Sequence, residues 1–277
     1  MNRVLNLIKA LLTNGRDNQA FIGARWLVVL LRLTPRPFKR KMALRILAIS
    51  PHYFYRSNNP DYKNMPEHMF LEAEFARNRS SREKLCKQLL LPYLKPEDQV
   101  LDIGCGPGFL AKAVSRHVKL IYACDISRGV LECARTINNA PNIKFIYSGE
   151  SGFSQIPDGS LNVAYSSAVI QHLREAVIIS LFKVAGKKVG PGGRCLFQVQ
   201  LDDGKWEKES TAMQDQSLAN KLRLKYGMNF FPRTEQFFRD LAKETGFVVE
   251  AIRPISELLD QPFDDVYYQH LLILSKK

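Results

Sequence analysis

A glycine-rich turn between an apolar strand pattern and a helix constrains the fold of this chain more than any other feature. Residues 99–103, Gln-Val-Leu-Asp-Ile, read as a buried strand, and Gly104, Gly106 and Gly108 follow at alternate positions. Because glycine has no Cβ, such a run turns sharply and lets a ligand approach the main chain. The helix that begins next supplies unpaired N–H groups at its first turn. This strand–turn–helix unit predicts an α/β fold with a ligand at the turn.

Strand and helix patterns alternate from about Glu67 onward. After a helix over 67–93, strands are predicted at 99–103, 119–124, 143–147, 161–166 and 193–200, with helices at 108–116, 127–138, 172–188 and 233–245. This spacing predicts a parallel, doubly wound sheet. Only a loop joins the last two apolar runs, 247–252 and 266–275, so we expect an antiparallel pair at the sheet edge. The fold class is therefore α/β, a Rossmann-like sheet of seven strands.

A basic, amphipathic extension and linker over residues 1–66 precedes the predicted domain, 67–277. Residues 1–56 contain three lysines and eight arginines against one acid, Asp17, and therefore hold ten of the thirteen net positive charges. Helical patterns end at the Asn14-Gly15 turn, at Thr34 and at Ser50, and Pro35 and Pro37 are expected to break the chain before Phe38. Because bases alternate with apolar residues, the extension predicts a helix at an anionic membrane surface; a helical cap with a solvated basic face is the alternative.

The cysteines and apolar runs bear on the compartment. None of the five cysteines forms a CxxC pair, so we expect free thiols in a reducing, cytoplasmic setting and no metal site. The apolar run 20–33 is interrupted by Arg25 and Arg32 and is shorter than the roughly 20 residues of a membrane span. The expected membrane association is therefore peripheral. A mitochondrial presequence stays an alternative because the extension is rich in arginine and poor in acids.

The glycine run distinguishes two kinds of nucleotide site. The dinucleotide fingerprint is G-x-G-x-x-G, and Phe109 stands where its third glycine would fall. With Asp102 before it, the run resembles motif I, D-x-G-x-G-x-G, of class I S-adenosylmethionine-dependent methyltransferases. A second strand pattern ends at Asp125, 21 positions after Gly104, where a carboxylate can accept both hydroxyl hydrogens of a ribose. A helix N-cap is the alternative role for this acid.

The resemblance, to a methyltransferase domain of type 11/12, covers about residues 70–200 and implies S-adenosylmethionine as cofactor, with S-adenosylhomocysteine as product and no metal. Glu150 resembles the acid that accepts the adenine amine, with the Ser151 amide on a ring nitrogen; an ordinary loop acid is the alternative. The family commonly has Asp where Asn162 stands, which puts a catalytic carboxylate there in doubt. The cofactor-binding residues that the resemblance implies are Asp102, Gly104, Cys105, Gly106, Gly108, Asp125, Ile126, Glu150, Ser151 and Ser166.

The acceptor site is predicted after the fourth strand and in the polar insertion 202–232. His172 lies where the family often has a histidine and is the candidate general base, which would favour a hydroxyl acceptor; packing or capping at a helix start is the alternative. Methyltransferases that act on nucleobase or glutamine nitrogens usually have an N-P-P-Y-type motif after the fourth strand, where this chain has Tyr165-Ser166-Ser167-Ala168. The absence of the motif argues against N-methylation of a base. The insertion contributes aromatic residues that are expected to line the acceptor pocket or to pack in the core: Trp206, Tyr226, Phe230 and Phe231.

These patterns predict a methyltransferase that acts on a hydroxyl of a small-molecule, lipid or glycolipid acceptor near a membrane. Two alternatives remain open. One is an RNA or protein methyltransferase; the RNA case is disfavoured because residues 57–277 carry only three of the net positive charges, too few for a groove that tracks phosphates. A regulator that binds S-adenosylmethionine without catalysis would show cofactor binding but no turnover.

Overall fold

A seven-stranded mixed sheet organises the computed structural model of the chain. The strand order is β3-β2-β1-β4-β5-β7-β6. The strands are β1 (Gln99–Ile103), β2 (Leu120–Asp125), β3 (Ile143–Tyr147), β4 (Leu161–Ser166), β5 (Val189–Val199), β6 (Phe247–Pro254) and β7 (His270–Lys276). The structure describes residues 25–49, 54, 62, 64–149, 152–204, 208–218, 220–221, 224, 229–260 and 268–277.

The pairing of the strands confirms the predicted fold class. β1 lies between β2 and β4, and the pairs from β3 to β5 are all parallel. β7 pairs antiparallel with both β5 and β6, as expected for apolar runs joined by a loop. In parallel sheets of this kind ligands bind at the carboxyl ends of the strands, beside the point where the strand order reverses. Here the order reverses at β1, whose carboxyl end carries the glycine turn.

Helices cover both faces of the sheet. One face carries α3 (Glu67–Leu85), α4 (Phe109–Val114) and α5 (Arg128–Ile137), and the other carries α6 (Glu175–Lys188) and α8 (Glu235–Glu244). α7 (Glu209–Gln214) lies in the insertion after β5. Apolar residues of the helices and strands form one buried cluster on each face, which is the arrangement that a doubly wound sheet requires.

Two short helices of the basic extension pack on the domain. α1 (Arg25–Leu33) and α2 (Arg36–Ile49) bury one apolar face, including Leu31 and Leu47, in a cluster with Phe70, Phe109 and Cys133 of α3, α4 and α5. Pro37 does not break the chain, contrary to the sequence-based expectation. It lies in the first turn of α2, where the backbone N–H has no helical acceptor and its loss costs nothing.

Three predicted elements differ at their ends. The helix expected over 67–93 consists of α3, a π-helical turn at Cys86–Leu90 and a 3₁₀ turn at Leu91–Tyr93. β5 begins at Val189, because Val189 pairs with Leu161 across an irregularity in the register. The helix expected over 172–188 begins only at Glu175, after a 3₁₀ turn at Ile170–His172. Contacts to residues 229–231 hold that 3₁₀ turn outside the helix.

All five cysteines are buried and free. Burial raises the pKa of Cys86 to about 11, so this thiol stays protonated at neutral pH. No helix within the described ranges is long and apolar enough to cross a membrane.

Candidate active site

The glycine turn lies at the carboxyl end of β1, in the middle of the sheet. The N–H groups of Gly104 and Cys105 both donate to the Cys124 carbonyl, at 2.8 and 2.9 Å. Gly104 has φ +76°, and a Cβ on it would lie 2.5 Å from a methyl carbon of Val169. Both the dihedral and the close approach require glycine. The turn therefore lies directly against the segment that follows β4, so the two halves of the site touch.

Asp125, the last residue of β2, connects its strand to the glycine turn. Its carboxylate accepts the Gly106 N–H at 2.9 Å and the Ser127 N–H at 2.8 Å, and the residue is only 6% exposed. Burial raises the pKa of this carboxyl group, against the effect of the backbone hydrogen bonds. The N-cap of α5 is Ser127, whose hydroxyl accepts the Val130 N–H. The capping alternative for Asp125 is therefore wrong.

Asp102 is buried beside this turn. Tyr165 on the neighbouring strand β4 donates its hydroxyl to the Asp102 carboxyl at 3.0 Å. Burial raises the pKa of Asp102 to about 8, although the Tyr165 hydrogen bond opposes the shift and nearby Asp125 adds to it. Ser166, also assigned from the sequence, donates its hydroxyl to the Ile103 carbonyl at 3.0 Å and is buried. Its side chain therefore joins β4 to β1.

The third strand end completes the same edge of the sheet. Ile126 is 38% exposed directly after Asp125, and the Ser148 N–H donates to the Asp125 carbonyl at 2.9 Å. The Arg128 guanidinium lies 3.7 Å over the Tyr147 ring. Glu150 and Ser151, to which the sequence assigned adenine contacts, lie outside the described residues. Ile126 thus offers an exposed apolar side chain directly beside the buried Asp125.

These residues fit the cofactor that the sequence implies. A carboxylate oxygen has more than one lone-pair direction, so the two backbone bonds at Asp125 leave acceptor capacity for ribose hydroxyls. Two buried carboxyl groups, Asp102 and Asp125, suit a positively charged ligand, because a cation favours their ionised forms. No cluster of three metal-ligating side chains occurs in the part of the chain that the structure describes.

A buried glutamine pair supports the loop after β4. The Gln198 side-chain oxygen accepts the Ser167 hydroxyl at 2.7 Å and the Ala168 N–H at 2.9 Å. Its amide nitrogen donates to the Gln269 side chain at 2.6 Å. Ala168 has φ +58°, a conformation that is uncommon outside glycine and persists where surrounding bonds fix it. Sequence reasoning missed Gln198, although a polar residue within the buried run of β5 was a signal for it.

His172 lies at the end of this loop and faces the insertion. Its Nδ1 is 2.8 Å from the Asn229 carbonyl oxygen. Since a carbonyl only accepts, Nδ1 carries the hydrogen and the neutral ring has its lone pair on Nε2. The Phe230 ring packs edge-on at 5.7 Å, and the Phe231 N–H donates to the Gln171 carbonyl at 2.8 Å. The structure thus brings the predicted base into contact with Phe230, one of the predicted aromatic residues, and its neighbour Gln171 into contact with Phe231.

The other aromatic assignments divide. Phe231 is buried with Ala212 and Leu224, so the core-packing alternative holds for this residue. Trp206 and Tyr226 lie outside the described residues. Asn162 is exposed at the start of β4, where its side chain accepts the Gln99 N–H at 2.9 Å. Asn162 therefore lies at the amino ends of the strands, away from the glycine turn at their carboxyl ends, and is not part of this site.

Arg233 anchors the insertion where it returns to β5. The guanidinium is buried and forms a short ion pair with Glu209 of α7. It also donates to the Phe231 and Pro232 carbonyls at 3.0 and 3.1 Å, and the Arg233 N–H donates to the Gln200 carbonyl at 3.2 Å. One side chain thus joins the two ends of the insertion, a role that nothing in the sequence pattern indicated.

We expect Arg233→Ala to lower the free energy of unfolding by about 3 kcal/mol, because it removes the buried partner of the Glu209 carboxylate and leaves only Arg174, 3.9 Å away, as a cationic neighbour. Urea denaturation followed by circular dichroism measures the loss. The matched control is Arg239→Ala on α8. The Arg239–Glu235 pair is about half exposed and should contribute about 0.5 kcal/mol or less. Equal effects of the two substitutions would contradict the anchoring role.

Comparison with known proteins places the chain in a methyltransferase family. Residues 74–252 match the methyltransferase domain family. A malonyl-[acyl-carrier protein] O-methyltransferase from Serratia marcescens is 30% identical over 104 residues, which cover 37% of this chain and 38% of that protein. An uncharacterised methyltransferase from Schizosaccharomyces pombe is 30% identical over 110 residues, which cover 38% of this chain and 41% of that protein. The chain thus spans about two fifths of the length of these relatives.

Among solved structures, a putative methyltransferase from Haloferax volcanii in complex with a methyltransferase activator superposes with a TM-score of 0.54 at 14% identity. The match covers 74% of this chain and 93% of that one. At this identity the likeness concerns the fold alone.

Proposed function

Because this chain belongs to the class I S-adenosylmethionine-dependent methyltransferases, we propose that it transfers a methyl group to a hydroxyl of a small or lipid-like acceptor. The observation that carries the choice of a hydroxyl is the orientation of His172. The Asn229 carbonyl fixes the hydrogen on Nδ1, so the neutral ring presents a base at Nε2. A hydroxyl gains more from such a base than an amine or thiolate does.

The strand ends of β1 and β2 hold the cofactor in this proposal. Bound S-adenosylmethionine supplies a methyl group that is already activated on a sulfonium. Asp125 would accept hydrogen bonds from the ribose hydroxyls, Asp102 would bind near the positively charged part of the ligand, and Ile126 would contact the adenine. The glycine turn and the Val169 segment touch, so a cofactor at the turn and an acceptor beside the loop after β4 would be neighbours. Alignment of the two is the main contribution an enzyme makes to an in-line displacement.

The insertion 202–232 forms the acceptor side in this proposal. Asn229 and Phe230 contact His172, and Arg233 fixes the insertion to the end of β5. The O-methyltransferase name of the Serratia marcescens relative supports oxygen as the methylated atom. We propose that the same insertion selects the acceptor, because its residues Asn229 and Phe230 contact His172.

Methyl labelling tests the proposed function. The protein is incubated with cofactor labelled in the methyl group and with cell extract, and label is then measured in lipid, small-molecule, protein and RNA fractions. We expect label in the lipid or small-molecule fraction, in a product with a new C–O bond. Label in RNA or protein would show that the acceptor is a macromolecule of that class and would contradict the proposed small or lipid-like acceptor. Cofactor binding without label in any fraction would instead favour a non-catalytic regulator.

The pKa of Asp102 predicts a pH-dependent cofactor affinity. A positively charged ligand favours the ionised form of Asp102. Below the pKa of Asp102 in the free protein, binding therefore releases the proton from this carboxyl group. Affinity should therefore rise with pH by up to about tenfold per unit below the pKa and level off above it, at a pH of about 8. Calorimetric titration across this range measures the profile.

Asp102→Asn is the matched control for this prediction. The amide still accepts the Tyr165 hydroxyl and carries no charge at any pH. The variant should bind the cofactor more weakly and lack this contribution to the pH profile. Titration of the ligand's own amino group affects both proteins equally, so the difference between the profiles isolates Asp102. Identical profiles would show that the acid does not sense the ligand.

A further inference from the structure

The turn between α1 and α2 exposes large apolar side chains. Leu31 and other residues of the inner face are buried against the domain, whereas Val29 is 54%, Leu33 77% and Phe38 63% exposed. Leu33 ends α1 and Phe38 lies in the first turn of α2, so the two side chains flank the Thr34-Pro35 turn. We call the exposed residues Val29, Leu30, Leu33 and Phe38 the hairpin patch.

Basic residues without a described ion pair lie next to the hairpin patch in the first turns of α2. Arg40 and Arg45 form bidentate pairs with Glu72 and Glu67 of α3, which directs these two guanidiniums toward the domain. Arg36, Lys39 and Lys41 form no ion pair with any residue that the structure describes. No Asp or Glu occurs between residues 18 and 60. The outer side of the hairpin is therefore apolar and positively charged.

We propose that the hairpin patch docks on a membrane surface that contains anionic lipids. Bulky apolar side chains beside lysine and arginine suit the boundary between headgroups and acyl chains, and each base near such a surface strengthens association by about fivefold. The patch is distinct from the apolar face that includes Leu31 and Leu47, because that face is buried against α3, α4 and α5. The inference rests on the proposed function in one respect: docking would bring a lipid-like acceptor within reach.

Vesicle sedimentation of the full chain tests the patch without any acceptor or turnover. Vesicles of phosphatidylcholine with phosphatidylglycerol should carry the protein into the pellet, and vesicles of phosphatidylcholine alone should carry much less. Added salt should reduce pelleting, since it screens the exposed charges. Equal pelleting on both vesicle types, or none on either, would overturn the proposal.

Two sets of substitutions separate the apolar and the charged contributions. Leu33→Glu with Phe38→Glu should weaken association by at least about 100-fold. Arg36→Gln, Lys39→Gln and Lys41→Gln together should also weaken it by about 100-fold, since three bases are lost. Binding to a nucleic acid would depend on the arginine and lysine side chains but not on the apolar ones. Loss of association in the charge variant alone, with the apolar variant unaffected, would therefore overturn a membrane partner.

The controls are substitutions of exposed apolar residues elsewhere. Val177→Glu on α6 and Val248→Glu on β6, at 44% and 40% exposure, should pellet like the unaltered protein. Circular dichroism and cofactor calorimetry check that each variant folds. A dimer that the patch variants dissociate, with no pelleting, would assign the patch to a second copy. Pelleting without methyl transfer would contradict only the proposed function, and methyl transfer without pelleting would contradict only the docking.

Discussion

Asp125→Ala should lower the affinity for S-adenosylmethionine by about 100-fold or more, because two hydrogen bonds from ribose hydroxyls to a buried carboxylate are lost together. The same substitution removes the acceptor for the Gly106 and Ser127 N–H groups. Buried donors without partners are costly, so we also expect a loss of about 2 kcal/mol in the free energy of unfolding. Calorimetry gives the dissociation constant, and urea denaturation gives the stability.

A matched control separates lost affinity from lost stability. Ser127→Ala removes the N-cap of α5, whose hydroxyl accepts the Val130 N–H, and should cost about 1 kcal/mol. It leaves the Asp125 carboxylate in place, so cofactor affinity should stay near that of the unaltered protein. If Asp125→Ala folds and binds cofactor as tightly as Ser127→Ala does, the carboxylate has no role in binding.

His172→Ala should reduce turnover by about 10²- to 10⁴-fold, the range over which a positioned general base acts. Cofactor affinity should change little, because the described contacts of the His172 ring are with Asn229 and Phe230 of the insertion. The rate is measured with the acceptor identified by methyl labelling. Added imidazole should restore part of the activity, since it supplies the missing base in the space that the side chain leaves.

The control for this substitution is His117→Ala, at an exposed position after α4, which should leave turnover unchanged. Loss of cofactor binding in His172→Ala, without rescue by imidazole, would indicate a packing role for the ring. Full activity of the variant would remove His172 as the base. In the latter case an amine or thiolate acceptor, which needs less help, becomes the better assignment.

The order of the helices and strands was predictable because local patterns carry it. β1 reads as a buried strand, and the glycine turn ends it sharply, so the start of α4 follows within the same short segment. The apolar run ending at Asp125 likewise fixes the end of β2. By contrast, the late start of α6 depends on bonds from Asn229 and Phe231 to the preceding turn. Residues so distant in sequence leave no local pattern.

The acceptor side was less predictable than the cofactor side for the same reason. Gln198 supports a loop on β4 from a position on β5, and Arg233 joins two ends of an insertion. Each acts through a partner at least 24 residues away in the chain. The basic extension shows the same limit, since its pattern could not tell a membrane-facing apolar side from one buried on the domain.

The sequence by itself determined the family, the sheet and the residues of the glycine turn, because backbone preferences and strand periodicity act over a few neighbouring residues. The tertiary structure decided which groups meet. It placed the Asp125 carboxylate on the N–H of Gly106, fixed the hydrogen of His172 through the Asn229 carbonyl, and left Leu33 and Phe38 exposed while burying Leu31. Those outcomes depend on distances between elements remote in the chain, which only packing sets.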